Sequence, residues 1–160
     1  MSVKTIVGAL LFLMAAFLWG RERGKREAQT LYLAEGLYSL ADYTQARINS
    51  FRTPLFRIFN DFSNGFLEEC GFIKSLREEG IVFAVGSIAD ELPDEVREDV
   101  LSFAAGLGGG YCEEQVELCR YTKERLLCFI ENAKNTLPAR LRMYRLLPVL
   151  LASTLIILLI

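Results

Sequence analysis

Histidine is absent from the 160 residues of this chain. Its absence removes the commonest general base, the commonest zinc ligand and the side chain that changes charge near neutral pH. Cysteine occurs at Cys70, Cys112, Cys119 and Cys128, but never as the C-x-x-C pair of a metal or redox site. Neither sign of charge dominates. A net charge of −2 argues against nucleic acid as the main partner. No segment alternates apolar and polar residues in the period-two manner of a half-buried strand, and no internal repeat or low-complexity linker is visible.

What is abundant is hydrophobicity, and it is unevenly placed. The chain is 52% apolar with a mean hydropathy of +0.26, although 24% of it is charged. Every Asp and Glu lies between Glu22 and Glu131, and Lys4 is the only basic residue outside the interval from Arg21 to Arg145. The middle is therefore an ordinary polar-surfaced sequence, and the apolar excess sits at the ends.

Residues 5–20 read TIVGALLFLMAAFLWG. As a helix they span about 24 Å, somewhat short of a hydrocarbon core of about 30 Å. Adding residues 1–4 brings the segment to a workable length, because the stem of Lys4 can reach the interface. Trp19 stands where an amphipathic ring prefers to lie. A cleaved signal peptide would carry its positive charge before the apolar run and a small-x-small site after it. Here one Lys precedes the run, and Arg21, Arg23, Lys25 and Arg26 follow it. The flanks favour an uncleaved anchor.

Residues 146–160 read LLPVLLASTLIILLI, about 22 Å as a helix. The run is apolar on every face, which disfavours a buried core helix with one polar stripe. Pro148 would kink it or mark its entry. Arg140, Arg142 and Arg145 abut it, so both basic clusters lie on the side of the middle region. The positive-inside rule then puts that region in the cytoplasm and both termini on the far side.

The fold class expected is all-α: a helical bundle of about six helices over residues 21–145, between an N-terminal transmembrane helix (1–20) and a C-terminal hydrophobic membrane segment (146–160). The first soluble helix runs from about 28 to 48, with Leu31, Ala34, Tyr38, Ala41 and Ile48 as one stripe, widened by Leu33, Leu37 and Leu40. Nothing stronger than Gly24 separates it from the first apolar segment. Thr53-Pro54 signals a start, as capping hydroxyl and first helical position. A short helix covers 66–78 and ends at Gly80. Another covers 81–92; its apolar run could also form a buried strand, but no partner strand is evident. Pro93-Asp94-Glu95 opens a helix whose inner face is Val96, Val100, Phe103, Ala104 and Leu107. The last helix runs from 113 towards 135, with Cys112, Val116, Cys119, Leu126, Phe129, Ile130 and Ala133 inside, and Leu137-Pro138 interrupts it.

Candidate sites are few. Residues 106–110 read Gly-Leu-Gly-Gly-Gly, but Tyr-Cys-Glu-Glu follows where a phosphate loop needs Gly-Lys-Ser/Thr, so a helix cap and turn is expected. The four cysteines read as buried reduced thiols. The pairs Glu68-Glu69, Glu78-Glu79 and Glu113-Glu114 are adjacent in sequence. Neighbours on a helix point about 100° apart, so these carboxylates do not converge on one reacting bond. No catalytic residue, cofactor-binding residue or metal ligand is assigned. The dense run of Phe51, Phe56, Phe59, Phe62, Phe66 and Phe72 reads first as core, and any exposed share of it as a protein-docking patch.

The order of these features resembles a known family. Ile48-Asn-Ser-Phe-Arg-Thr-Pro-Leu55, then Phe103-Ala-Ala-Gly-Leu-Gly108 with Gln115 downstream, then Arg142-Met-Tyr-Arg145 before the last apolar run, resemble successive segments of the stage III sporulation protein AB family. The chain departs from that pattern at Leu147-Pro148, where the family has Leu-Gly, and at Pro138, inside a helix that is usually unbroken. The resemblance implies an endospore-forming bacterium and the channel-like complex between mother cell and forespore. It also implies a helical domain similar to the type II secretion F platform protein, with the stage III sporulation protein AA ATPase and other stage III A membrane proteins as partners. On this reading the protein is a non-enzymatic scaffold of the mother-cell membrane around the forespore, without cofactor and open to homo-oligomerisation. A small membrane enzyme and a membrane-tethered regulator are the alternatives. A convergent titratable pair would mark the first, and specific anionic-lipid binding the second.

Overall fold

A computed structural model describes the backbone over residues 3–159. It describes the side chains of residues 14–144, except Ala16, and of Leu146, Leu150, Ser153 and Thr154. Among the described residues the chain is all-helical, with no strand. The helices are α1 (Val3–Phe51), α2 (Leu55–Asp61), α3 (Gly65–Glu69), α4 (Phe72–Glu78), α5 (Ile81–Ile88), α6 (Asp94–Gly106) and α7 (Cys112–Leu159), with a 3-10 turn at Ala89–Glu91. Two compact units result: Thr30–Ala133, and Met1–Gln29 with Lys134–Ile160.

The Thr30–Ala133 unit is built round its stretch of α1. Leu31, Leu33, Ala34, Leu37, Leu40, Ala41 and Ile48 are buried as their spacing predicts, while Tyr38 is half-buried. Gly36 lets α3 approach, since a Cβ there would lie 2.7 Å from Leu67 Cγ. Tyr32 meets Phe66 and Tyr43 meets Phe62 at ring centroid distances of 5.7 and 5.5 Å. Helix α4 packs on α2, α3 and α5, and α5 packs on α6. Phe72 and Phe103 are the largest fully buried side chains. Burying each contributes about 1.5–3 kcal/mol. Lys123 on α7 bonds Asp42 and Gln45 on α1, and Arg125 reaches Asp99 on α6 at 2.8 Å.

Local chemistry explains where these helices break. One helix was expected over 66–78, but two form, because the chain turns at Cys70 and Gly71. Gly71 sits at φ +79°, the left-handed conformation that closes α3 at least steric cost. Asn64 caps α3 by accepting from the Leu67 N–H at 3.2 Å. Thr53 does not cap α2. Pro54 occupies the cap position, and its carbonyl accepts from the Arg57 and Ile58 N–H groups at 3.0 and 3.2 Å. Residues 81–92 form α5 and the 3-10 turn, not a strand. Arg97 secures that turn by donating to the Ala89 and Leu92 carbonyls at 2.7 and 2.9 Å. The buried face of α6 is as predicted.

Helix α7 corrects the expected interruption at Leu137-Pro138 and an end near 135, for it continues to Leu159. An interior Pro removes one backbone hydrogen bond and crowds the preceding turn, at roughly 3 kcal/mol. Beyond Pro138, contacts to α1 within the same unit hold the helix: Leu141 lies against Gly24, whose added Cβ would be 3.0 Å from Leu141 Cδ2, and Glu27 accepts from Tyr144 at 3.0 Å. Helix α7 also passes Pro148 without a break in its helical backbone, so Pro148 does not mark an entry.

Among the described residues, no helix is long and apolar enough to cross a membrane. The apolar segments 5–20 and 146–160, with Lys4 and Arg145, fall largely on side chains outside that description.

Candidate functional site

Among the described residues, the four cysteines form no disulfide. Cys119 alone is buried, and burial pushes its thiol up to about 11. Cys70, Cys112 and Cys128 are exposed, which corrects the expectation of four buried thiols. Cys70 caps the end of α3, where its thiol donates to the Leu67 carbonyl at 3.4 Å. Cys112 opens α7 and donates to the Ile48 carbonyl at 3.9 Å. Cys128 falls two positions from both Leu126 and Ile130, hence off their buried face. Of the other residues expected inside α7, Val116, Phe129 and Ala133 are half-buried.

Among the described residues, no three His, Cys, Asp or Glu side chains gather as metal ligands. Glu68-Glu69, Glu78-Glu79 and Glu113-Glu114 are all exposed. An open depression of ≈ 290 Å³ is lined by Glu68, Ile73, Lys74, Arg77 and Glu78. Its Arg77 is occupied, donating to the Phe62 carbonyl at 2.9 Å.

The glycine segment forms the turn expected of it. Gly108 and Gly110 lie at φ +92° and +79°. Glu114, in the first turn of α7, reaches back to accept from the Tyr111 N–H at 3.2 Å, half of a capping box. This turn comes against a distant part of the chain: a Cβ on Gly108 would lie 3.4 Å from Leu55, and Cys112 bonds Ile48. The segments 48–55 and 103–108 therefore meet at one end of the Thr30–Ala133 unit.

That end is aromatic and uncovered. Phe51, Phe56 and Tyr111 are 71%, 73% and 80% exposed. The phenylalanine-rich stretch divides accordingly: Phe59, Phe62 and Phe72 are core, Phe66 is half-buried, and Phe51 and Phe56 face out. Sequence reasoning named the stretch but missed Tyr111, whose position beside the glycine turn carries no apolar periodicity. It also missed exposed Val82 and Phe83 on α5, hidden inside a continuous apolar run.

A second set of residues lies in the other unit. Arg21, Arg23, Lys25 and Arg26 on α1 and Arg140 and Arg142 on α7 are exposed. Arg23 stacks over Trp19 at 5.5 Å. Glu27 accepts from Tyr144 and pairs with Arg140 at 3.5 Å. Its carboxylate holds the Tyr144 hydroxyl above the ordinary tyrosine range, because the hydrogen bond keeps the phenol protonated. Beyond these polar groups, Phe17, Leu18, Trp19, Leu146 and Leu150 point outward.

Comparison with family models, with curated proteins and with solved structures yields no match.

Proposed function

We propose that the chain is a non-enzymatic platform, tethered to a membrane by its two apolar ends, whose helical unit docks a cytoplasmic ATPase. The observation that carries this reading is the division of polarity between the two units. The Met1–Gln29 and Lys134–Ile160 unit holds nine Lys and Arg against two Glu, a net +7, and turns large apolar side chains outward. The Thr30–Ala133 unit holds nine Lys and Arg against eighteen Asp and Glu, a net −9, and encloses a packed core. Outward apolar side chains beside basic residues suit a bilayer and its interface. An acidic surface with an uncovered aromatic end suits a protein partner.

The resemblance supplies the particular assignment. The platform belongs to the secretion-like complex between mother cell and forespore, lies in the mother-cell membrane with its helical unit in the cytoplasm, and couples the stage III sporulation protein AA ATPase to the stage III A membrane proteins. Tethering at both ends restricts the unit to the membrane plane and raises its effective concentration for membrane-bound partners.

The test is co-purification of the full chain, in mild detergent, with that ATPase. The double variant Phe56→Ser, Tyr111→Ser is expected to weaken the association at least tenfold without changing helicity by circular dichroism. A native chain that never associates with the ATPase would overturn the platform reading.

A further inference from the structure

The basic residues of the helix pair are arranged as a collar. Taking 100° per residue, Gly24 and Glu27 share the side of α1 that meets Leu141, Arg140 and Tyr144 of α7. Arg21, Arg23, Lys25 and Arg26 are spread over the remaining arc of α1, and Arg142 points away from α1 on α7. These five, with Arg140, are all exposed. Two carboxylates stand among the six cations, Glu22 and Glu27, and Glu27 is engaged by Tyr144 and Arg140. The collar thus keeps an excess of positive charge. A band of outward Phe17, Leu18, Trp19, Leu146 and Leu150 adjoins it, and Arg23 over Trp19 joins the two layers.

From this layering we propose that the collar binds the phosphate headgroups of anionic phospholipids, so that the chain selects such lipids in its boundary layer. The inference rests on the membrane attachment proposed above, which a platform and a regulator share, and goes beyond it, because membrane orientation alone requires no lipid preference. Charge complementarity identifies the occupant. Guanidinium groups match phosphate oxygens in geometry as well as charge. The cations encircle the helix pair instead of forming one flat face, and the adjoining apolar band matches acyl chains, as the leaflet of a bilayer does and a folded protein surface does not. Attraction of basic juxtamembrane residues to anionic lipid is a short-range effect, weakened by salt.

Trp19, the single tryptophan of the chain, reports on the boundary directly. The full chain is reconstituted in vesicles of equimolar phosphatidylcholine and phosphatidylglycerol, with bromine on the acyl chains of one lipid at a time. Brominated phosphatidylglycerol is expected to quench Trp19 at least twofold more than brominated phosphatidylcholine. The preference should shrink in 0.5 M salt and vanish in the variant Arg21→Gln, Lys25→Gln, Arg26→Gln, Arg142→Gln, which leaves Arg23 and Glu27 intact. Equal quenching by the two lipids in the native chain would overturn the lipid preference while supporting insertion. A preference that survives in the variant would overturn the assignment to the collar. Quenching by neither lipid would overturn the membrane reading itself.

Discussion

Phe72 and Phe103 in the Thr30–Ala133 unit are 2% exposed or less, whereas Phe17 and Trp19 in the other unit are 51% and 63% exposed. Both pairs sit on regular helices of one chain. In the first unit, removal from water is provided by neighbouring helices, and the buried apolar residues of α1 and α6 answer to a spacing of three or four. In the second, two helix ends meet along a narrow seam at Gly24, Glu27, Leu141 and Tyr144, and Phe17, Leu18, Trp19, Leu146 and Leu150 turn outward. The same residue types are thus matched to different surroundings: a protein interior in one unit, and in the other, on the proposed reading, lipid.

The strongest test of that contrast replaces one aromatic in each unit. Phe103→Ala should lower stability by about 3–5 kcal/mol through lost burial and the cavity left behind, read by denaturation of the full chain in mild detergent. Phe17→Ala should leave the same midpoint in place. Equal losses would erase the distinction between the units. Next in size is Gly36→Ala. The new methyl would press on Leu67, which is wholly buried and cannot retreat, so a loss of about 1–3 kcal/mol is expected despite the better helix propensity of Ala.

A smaller effect of opposite sign is expected at Thr44. Its hydroxyl is buried without a hydrogen-bond partner, so Thr44→Val should raise stability by about 1 kcal/mol.

Alkaline pH should sharpen the picture further. The Cys119 thiol keeps its proton in the folded chain up to about 11, while the unfolded chain ionises near 9.0. Stability from this group is therefore complete below pH 9 and is lost as the pH rises towards 11. Cys119→Ala should flatten that part of the pH profile. In the native chain, a thiol reagent should label Cys70, Cys112 and Cys128 quickly and Cys119 only on unfolding. Least of all should come from the exposed Arg120, with its partners Glu117 and Glu124: Arg120→Gln should leave the unfolding midpoint unchanged.

Much of the helical unit was readable in advance. The inner face of α6 from Val96 to Leu107 follows from spacing alone, and Gly80, Pro93 and Gly108–Gly110 punctuate the chain where expected. Thr44 and Thr122 were not read as core. A hydroxyl scores as polar, yet both positions lie in register with buried neighbours, and Thr122 satisfies its hydroxyl on the Leu118 carbonyl at 2.9 Å. Gly36 was not read as a packing position, yet it is the place where Leu67 enters. The candidate aromatic surface was half legible, since density of Phe is visible in one dimension but its inward and outward shares are not.

The sequence by itself determined helicity, the apolar ends with their basic flanks, and the lack of histidine chemistry, because these depend on composition and on periods of a few residues. Tertiary structure alone decided three things. It carried α7 through Pro138, because contacts to α1 beyond the proline hold the helix. It exposed three of the four thiols, because burial depends on which face finds a neighbour. And it brought residues 48–55 against 103–108, because a contact across some fifty residues is set by how helices pack and leaves no mark in local spacing.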